Sequence, residues 1–288
     1  MTERRFGFVQ WEFAGRLGPD PGRYPVRRFA GDDVRGIVVI GGFEAPRRSR
    51  LPRGRRAKAV KEAGPAPVDV TRATVIDAEP MYDRDAAEAW LEGAAGDRSE
   101  QVVADALGVL NRAVAAHRVA AADPLQADAD PARALVARVG YGLGEQVAEG
   151  DWESARELPR PRERRSRALV PQQRLAALLS GRDVALACEE LALRARGDLD
   201  AGRQREAAMQ LHLALEAAVA ELESWRGRAD MGERIDELAG LRPGVAGAAN
   251  AAIQGGLEPA DVSAVSGALE RLEAALRARA AREAAAGS

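Results

Sequence analysis

The spacing of apolar residues along the chain changes near Pro80. Before it, apolar side chains alternate with polar ones or run in short β-branched stretches, as in RRFGFVQWEFA and RGIVVIGGF, and such runs are typical of β-strands. After it, apolar residues such as Val265, Leu269 and Leu272 recur at spacings of three and four, which is typical of amphipathic helices. The sequence therefore predicts an α+β protein, with a small N-terminal antiparallel β-sheet followed by a larger all-α helical region.

Four strands are expected in a β domain over residues 1–80. Residues 4–30 resemble a hairpin with a long loop, and Pro25 favours an edge position for its second strand because proline lacks a backbone N–H. The run at 35–43 predicts a buried central strand, and residues 67–80 predict a fourth strand. In the first strand, Phe6 and Phe8 should lie on one face of the sheet, opposite Val9, Trp11 and Phe13.

The remainder divides into a helical segment (81–158), an Arg-rich linker (159–167) and a helical bundle (168–288). Within the first of these, residues 131–159 predict a helix whose middle is weakened by glycines at 140, 142 and 144. The bundle contains two short helices, from Met231 to Leu241 and from Pro243 to Gln254, and one long helix with a heptad-like seam. The seam residues are Ala208, Leu211, Leu215, Ala218, Leu222 and Trp225.

A basic loop at 44–67 separates the third and fourth predicted strands. Between positions 47 and 61 it holds eight cations and no acid, enough for a salt-dependent grip on phosphates. No aromatic residues interleave to stack on bases, so a solvated loop without fixed structure remains an alternative interpretation. The candidate polyanion-binding residues are Arg47, Arg48, Arg50, Arg53, Arg55, Arg56, Lys58 and Lys61.

Candidate residues for catalysis, metal binding or cofactor binding are few. The two histidines, His117 and His212, lie on different predicted helices without companion ligands, so both are interpreted as core or boundary residues and no metal site is predicted. The single cysteine, Cys188, is interpreted as a small buried hydrophobe. Gly41 and Gly42 end a predicted strand, but no glycine-rich phosphate-binding spacing follows. We therefore predict no cofactor and no catalytic set.

Charge and composition suggest a compartment. Residues 1–80 carry 16 basic and 10 acidic side chains, whereas residues 81–288 carry 26 basic and 34 acidic ones. One cysteine excludes an internal disulfide framework, and no signal peptide or membrane-spanning run is evident. Forty arginines against two lysines, in an alanine-rich chain, are typical of a GC-rich bacterial genome. We expect a bacterial, cytoplasmic protein.

These observations favour a non-enzymatic role in protein–protein interaction or as a scaffold. The expected partner is an unknown protein or a second copy of the chain, because heptad-like helices can pair and a small sheet needs cover. Two alternatives remain open. One is a nucleic-acid-binding accessory protein that uses residues 47–61, and the other is an enzyme whose site is assembled from scattered residues, such as carboxylates and arginines near the junction of sheet and helices.

Overall fold

Six antiparallel strands form one sheet in the first half of the chain. The computed structural model describes residues 3–27, 31–43, 69–159 and 171–286, and its contacts divide the chain into a sheet unit, Met1–Glu163, and a helical unit, Arg164–Ser288. The strands pair in the order β2-β3-β4-β1-β5-β6. Their bounds are β1 (Arg5–Ala14), β2 (Gly22–Val26), β3 (Gly36–Phe43), β4 (Val70–Met81), β5 (Ala134–Gly142) and β6 (Ser154–Glu157).

The predicted α+β class is confirmed, but the predicted hairpin at 4–30 is wrong. β1 pairs with β4 and β5, whereas β2 pairs with β3. β1 carries large apolar side chains on both faces, which suits a position inside the sheet with a strand on each side. Pro25 suits β2 to the edge that it occupies. β3 lies second from that edge rather than at the centre, which β4 and β1 form.

The helix predicted over residues 131–159 is also wrong, because this stretch supplies β5 and β6. Val139 and Tyr141 are fully buried on one face of β5, and Gly140 lies where a Cβ would come within 2.5 Å of the backbone oxygen of Ser154 on β6. The glycines that would weaken a helix are thus the residues that allow close strand approach. Contacts across the sheet outweigh the helix propensity of the alanines and arginines nearby.

Helices cover one face of the sheet. Helix α1 (Arg84–Ala95) and helix α2 (Ser99–Ala120) bury Leu91 and Leu110 against Val9, Trp11 and Phe13. Full burial of each large apolar side chain contributes about 2–3 kcal/mol. The switch of period near Pro80 therefore falls inside this unit.

The opposite face of the sheet is partly covered by a short 3₁₀ helix, Gly144–Glu149. There, Val147 packs on Phe8 and Ile76, with Phe6 beside them. The predicted division of β1 side chains between the two faces is confirmed, since Phe6 and Phe8 lie on this side and Val9, Trp11 and Phe13 on the other.

The helical unit contains five described α-helices. They are α3 (Pro171–Leu179), α4 (Ala187–Asp200), α5 (Gln204–Glu221), α6 (Met231–Gln254) and α7 (Pro259–Ala286). All of them except α3 contribute residues to one apolar core. The two short helices expected at 231–254 are one helix, α6, that contains Pro243, because proline removes a single backbone hydrogen bond and packing of the apolar face compensates. No helix in the described ranges is both long and apolar enough to cross a bilayer.

Candidate functional site

The predicted polyanion-binding residues lie outside the described part of the chain. Arg47, Arg48, Arg50, Arg53, Arg55, Arg56, Lys58 and Lys61 all fall between Phe43, where β3 ends, and Val70, where β4 begins. Phe43 and Val70 are paired across the two strands. Both ends of the basic segment are therefore anchored side by side at one end of the sheet.

The candidate metal and nucleophile residues occupy structural positions. Both histidines are half-buried, and within the described ranges no three His, Cys, Asp or Glu side chains are grouped to hold a metal ion. Cys188 is fully buried at the start of α4, as predicted. The Glu221 carboxylate accepts hydrogen bonds from the backbone N–H groups of Ala187 and Cys188, each at 3.0 Å. It thus satisfies the first turn of α4, while burial raises the pKa of the Cys188 thiol.

A polar pocket of about 190 Å³ lies at the junction of α1 with strands β5 and β6. Glu88 and Glu92 are four residues apart on α1 and share one side of that helix. Ser154 and Arg156 alternate along β6, so they point to the same face of the sheet as Tyr141 on β5. We call this the junction pocket, and its lining is Arg84, Glu88, Leu91, Glu92, Tyr141, Glu153, Ser154 and Arg156.

Charges in the junction pocket are only partly paired. Arg84 Nε donates to Glu88 Oε1 at 2.9 Å, and Arg5 Nε donates to Glu153 Oε2 at 3.0 Å. Hydrogen bonding to Glu88, and then to Tyr141, raises the pKa of Arg84.

Two pocket charges are not paired. Within the ranges that the structure describes, the side chains of Glu92 and Arg156 make no hydrogen bond or ion pair. One carboxylate and one guanidinium are therefore available to a ligand.

A second charged group lies on the sheet face opposite α1 and α2. Glu12 on β1 is paired with Arg72 on β4, and Arg138 on β5 is paired with Gln10, two residues from Glu12 along β1. We call Glu12, Arg72 and Arg138 the Glu12 cluster. Glu12 Oε1 accepts from Arg72 Nη2 at 2.9 Å and from Arg138 Nη1 at 3.1 Å. Burial alone would raise the pKa of Glu12, but the hydrogen bonds from Arg138 and Arg72 outweigh it and lower that pKa. The cluster ties three central strands together.

The third feature is α3, a helix held to its unit by ion pairs. None of residues 172–179 is buried, and α3 contributes no residue to the apolar core of the helical unit. Leu175 and Leu179 are 47% and 81% exposed, and Val184, just beyond the helix, is 65% exposed. Since positions four apart share one side of a helix, the two leucines form an outward apolar stripe.

Four charged residues, which we call the clamp, attach α3 to α7. Arg174 on α3 donates to Asp183 at 3.2 Å and to Glu189 at 2.6 Å. Arg279 on α7, only 3% exposed, donates to the same two carboxylates at 2.7 and 3.3 Å.

The surroundings of the clamp keep it ionised. Although burial would raise the pKa of Asp183, the backbone N–H of Val184 and the charge of Arg279 lower it. The guanidinium carbon of Arg279 also lies 5.1 Å from the ring centroid of Trp225, within the range of a cation–π contact.

The sequence pattern predicted none of the junction pocket, the Glu12 cluster and the exposed face of α3. The junction pocket and the Glu12 cluster bring together residues that are distant in the sequence. No local spacing of residues therefore predicts them. The apolar stripe of α3 could have been found from the sequence. In QQRLAALLS, Leu175 and Leu179 lie four residues apart in a short segment that has few other large apolar residues.

The chain was compared with known protein families, with curated proteins and with solved structures, and no match was found in any of the three comparisons.

Proposed function

We propose that the protein acts in protein–protein interaction or as a scaffold, without catalysis, and that α3 is its docking element. The observation that carries this proposal is that α3 is fixed by the clamp while its two leucines point outward. An amphipathic helix that lays such leucines into an apolar groove is a common mode of recognition between proteins. Ion pairs from Arg174 hold the helix without using the leucines.

Other surfaces that the sequence offered to a partner are used within the protein. The seam residues Leu211, Leu215 and Leu222 are fully buried in the core of the helical unit. The predicted sheet face is covered by α1 and α2. These apolar groups stabilise the fold itself, which leaves α3 as the stronger candidate for an interface.

Charge near α3 defines the partner. The linker before α3 holds five arginines at positions 160–167, and Arg182 follows α3 with an exposed side chain. The partner that fits is another protein with an apolar groove for Leu175 and Leu179 and an acidic rim, since opposite charges favour encounter and orientation.

The experiment compares three forms of the full chain as bait in a lysate of the encoding organism. The first is the wild type, and the second carries Leu175→Asp with Leu179→Asp. The third, a matched control, carries Leu193→Asp with Leu213→Asp, which alters two leucines that are also exposed, by 70% and 56%, but lie on α4 and α5. A captured protein is then purified and its Kd measured against each form.

We expect the α3 variant to weaken binding of the purified partner by at least about 100-fold, because two buried leucine contacts of roughly 1.5 kcal/mol each are replaced by charges. The control should bind as the wild type does. Equal Kd values for all three forms would refute α3 as the docking element. If the loss of affinity in the α3 variant becomes smaller at higher salt, this result would support an acidic rim on the partner.

A second candidate function is nucleic-acid binding through residues 47–61. It is favoured by the pairing of Phe43 with Val70, because a loop anchored at both ends on a rigid sheet is a usual place for binding residues. The test is a titration of the full chain with duplex DNA, single-stranded DNA and RNA at low and moderate salt. Binding should weaken steeply with salt, and replacing Arg53, Arg55 and Arg56 by Gln should reduce both the affinity and that slope. Absence of binding at low salt excludes it.

For the compartment, we propose the bacterial cytoplasm. The single, fully buried cysteine and the arginine-rich, alanine-rich composition support this assignment.

A further inference from the structure

We propose that the junction pocket binds a small zwitterion, of which a free α-amino acid is the chemical type. This inference concerns the sheet unit and residues other than α3, so it stands or falls separately from the docking role proposed above.

The two walls of the junction pocket carry complementary chemistry. The α1 wall presents carboxylates, Glu88 and Glu92, which accept hydrogen bonds from an ammonium group. The strand wall presents Arg156 and the hydroxyl group of Ser154, which donate to a carboxylate. A ligand with a positive and a negative group a few bonds apart can satisfy both walls at once.

The two unpaired charged side chains of the junction pocket can bind a ligand. Arg84 is neutralised by Glu88 and Glu153 by Arg5, whereas, among the described residues, the side chains of Glu92 and Arg156 have no partner. Both side chains are exposed to water, so a ligand with only one charged group would gain a charge-assisted hydrogen bond from one of them, whereas a zwitterion would gain one from each. Specificity for a zwitterion therefore comes from two groups that the fold itself does not use.

The volume of the pocket favours a small ligand. It is about 190 Å³. Pockets for cofactors and drug-sized ligands are usually larger, about 300–1,000 Å³. An amino acid with a small side chain fits this space.

The experiment is an NMR titration of the full, ¹⁵N-labelled chain with L-alanine and L-serine. Two single-charge compounds, N-acetyl-L-alanine and L-alaninamide, are the matched controls for the ligand. We expect saturable shifts of backbone amides in α1, β5 and β6 with at least one of the two amino acids. Binding of either single-charge compound should be at least about fivefold weaker, the factor for loss of one hydrogen-bonded charge near a surface. Lack of saturable shifts with both amino acids, or equal binding of a single-charge compound, overturns the proposal.

Variants then test the two unpaired residues. Glu92→Gln and Arg156→Gln should each reduce the affinity by about fivefold. Glu100→Gln and Arg35→Gln change exposed charges outside the pocket and should leave the affinity unchanged. The amide spectrum away from the pocket reports whether each variant is folded, and wild-type affinity in both pocket variants overturns the assignment.

Discussion

The backbone of Gly140 lies against the ring of Phe8. A Cβ on Gly140 would stand 2.7 Å from Phe8 Cζ and 2.5 Å from the backbone oxygen of Ser154, far inside the usual 3.5–4.0 Å separation of non-bonded carbons. Gly140→Ala should therefore reduce the free energy of unfolding of the sheet unit by about 2–3 kcal/mol, the cost of overpacking. Urea denaturation followed by circular dichroism measures it.

A control for this substitution lies in the same unit. Gly108, inside α2, has no atom within 4 Å of its Cβ position. Gly108→Ala should stabilise the unit by about 0.5–1 kcal/mol, since alanine loses less backbone entropy in a helix. A Gly140→Ala variant as stable as the wild type would contradict the close approach of β5 to Phe8 and β6.

Glu12 should make the stability of the sheet unit depend on pH. Glu12→Gln leaves Arg72 and Arg138 without their shared carboxylate, at a cost of about 2 kcal/mol near neutral pH. Because the pKa of Glu12 is lowered in the folded state, its contribution is present above the ordinary carboxyl pKa and is lost as pH falls through the folded value. The difference in unfolding free energy between wild type and variant should shrink as the pH falls below the ordinary range of a glutamate pKa, because the folded-state pKa of Glu12 lies below that range.

Chemical denaturation at several pH values measures this difference. Glu88→Gln is the control, because Glu88 forms an exposed i,i+4 pair with Arg84 that contributes about 0.5 kcal/mol or less. A difference for Glu12→Gln that does not change with pH would contradict the ionic role of the cluster.

Cys188 should be chemically inert in the folded protein. Burial excludes reagents, and the raised pKa of the thiol keeps the reactive thiolate scarce. Iodoacetamide at mildly alkaline pH should leave the native chain unmodified and alkylate the guanidinium-unfolded chain completely, as measured by mass spectrometry. A Cys188→Ala variant shows the background. Alkylation of the native chain at the rate of a free thiol would contradict its burial.

Variants of the two clamp arginines should have different effects on the local stability of α3 and on the global stability of the bundle. Arg174→Met removes two partly exposed ion pairs and should speed hydrogen exchange in α3 while changing global stability by about 1 kcal/mol or less. Arg279→Met removes the buried partner of Asp183 and Glu189 and should cost about 3 kcal/mol. Exchange mass spectrometry and urea denaturation measure the two effects. Unchanged protection of α3 in the Arg174 variant would show that other contacts hold this helix.

Local pattern was enough to predict several elements. The alternation through Phe8, Trp11 and Phe13 indicated the two faces of β1, and Pro25 indicated an edge strand, because both depend on chemistry within a few residues. The seam through Leu211 and Leu215 likewise predicted a helix face that packs on other helices, and both leucines are buried in the core of the helical unit.

Pairing over long distances in the sequence was beyond such patterns. Residues 134–142 form a strand because they pair with β1. The residues of β1 with which they pair lie more than 120 positions away in the sequence. The junction pocket could not be predicted for the same reason. Tyr141 and Arg156 approach α1 only when β5 and β6 join the sheet, whereas residues 131–159 were predicted to form a helix. The spacing of Leu175 and Leu179 indicates an apolar stripe on a helix, but it does not show whether another helix covers that stripe.

The order of the strands bears on how the chain is made. β1 leaves the ribosome before every other described strand, yet it sits between β4 and β5, and its second neighbour begins only at Ala134. Until then, β1 has an open edge in the growing polypeptide, where unpaired backbone groups invite association with other chains. Fragments that stop before Gly142 should therefore aggregate during synthesis, and chaperones that bind nascent chains would matter most in this interval.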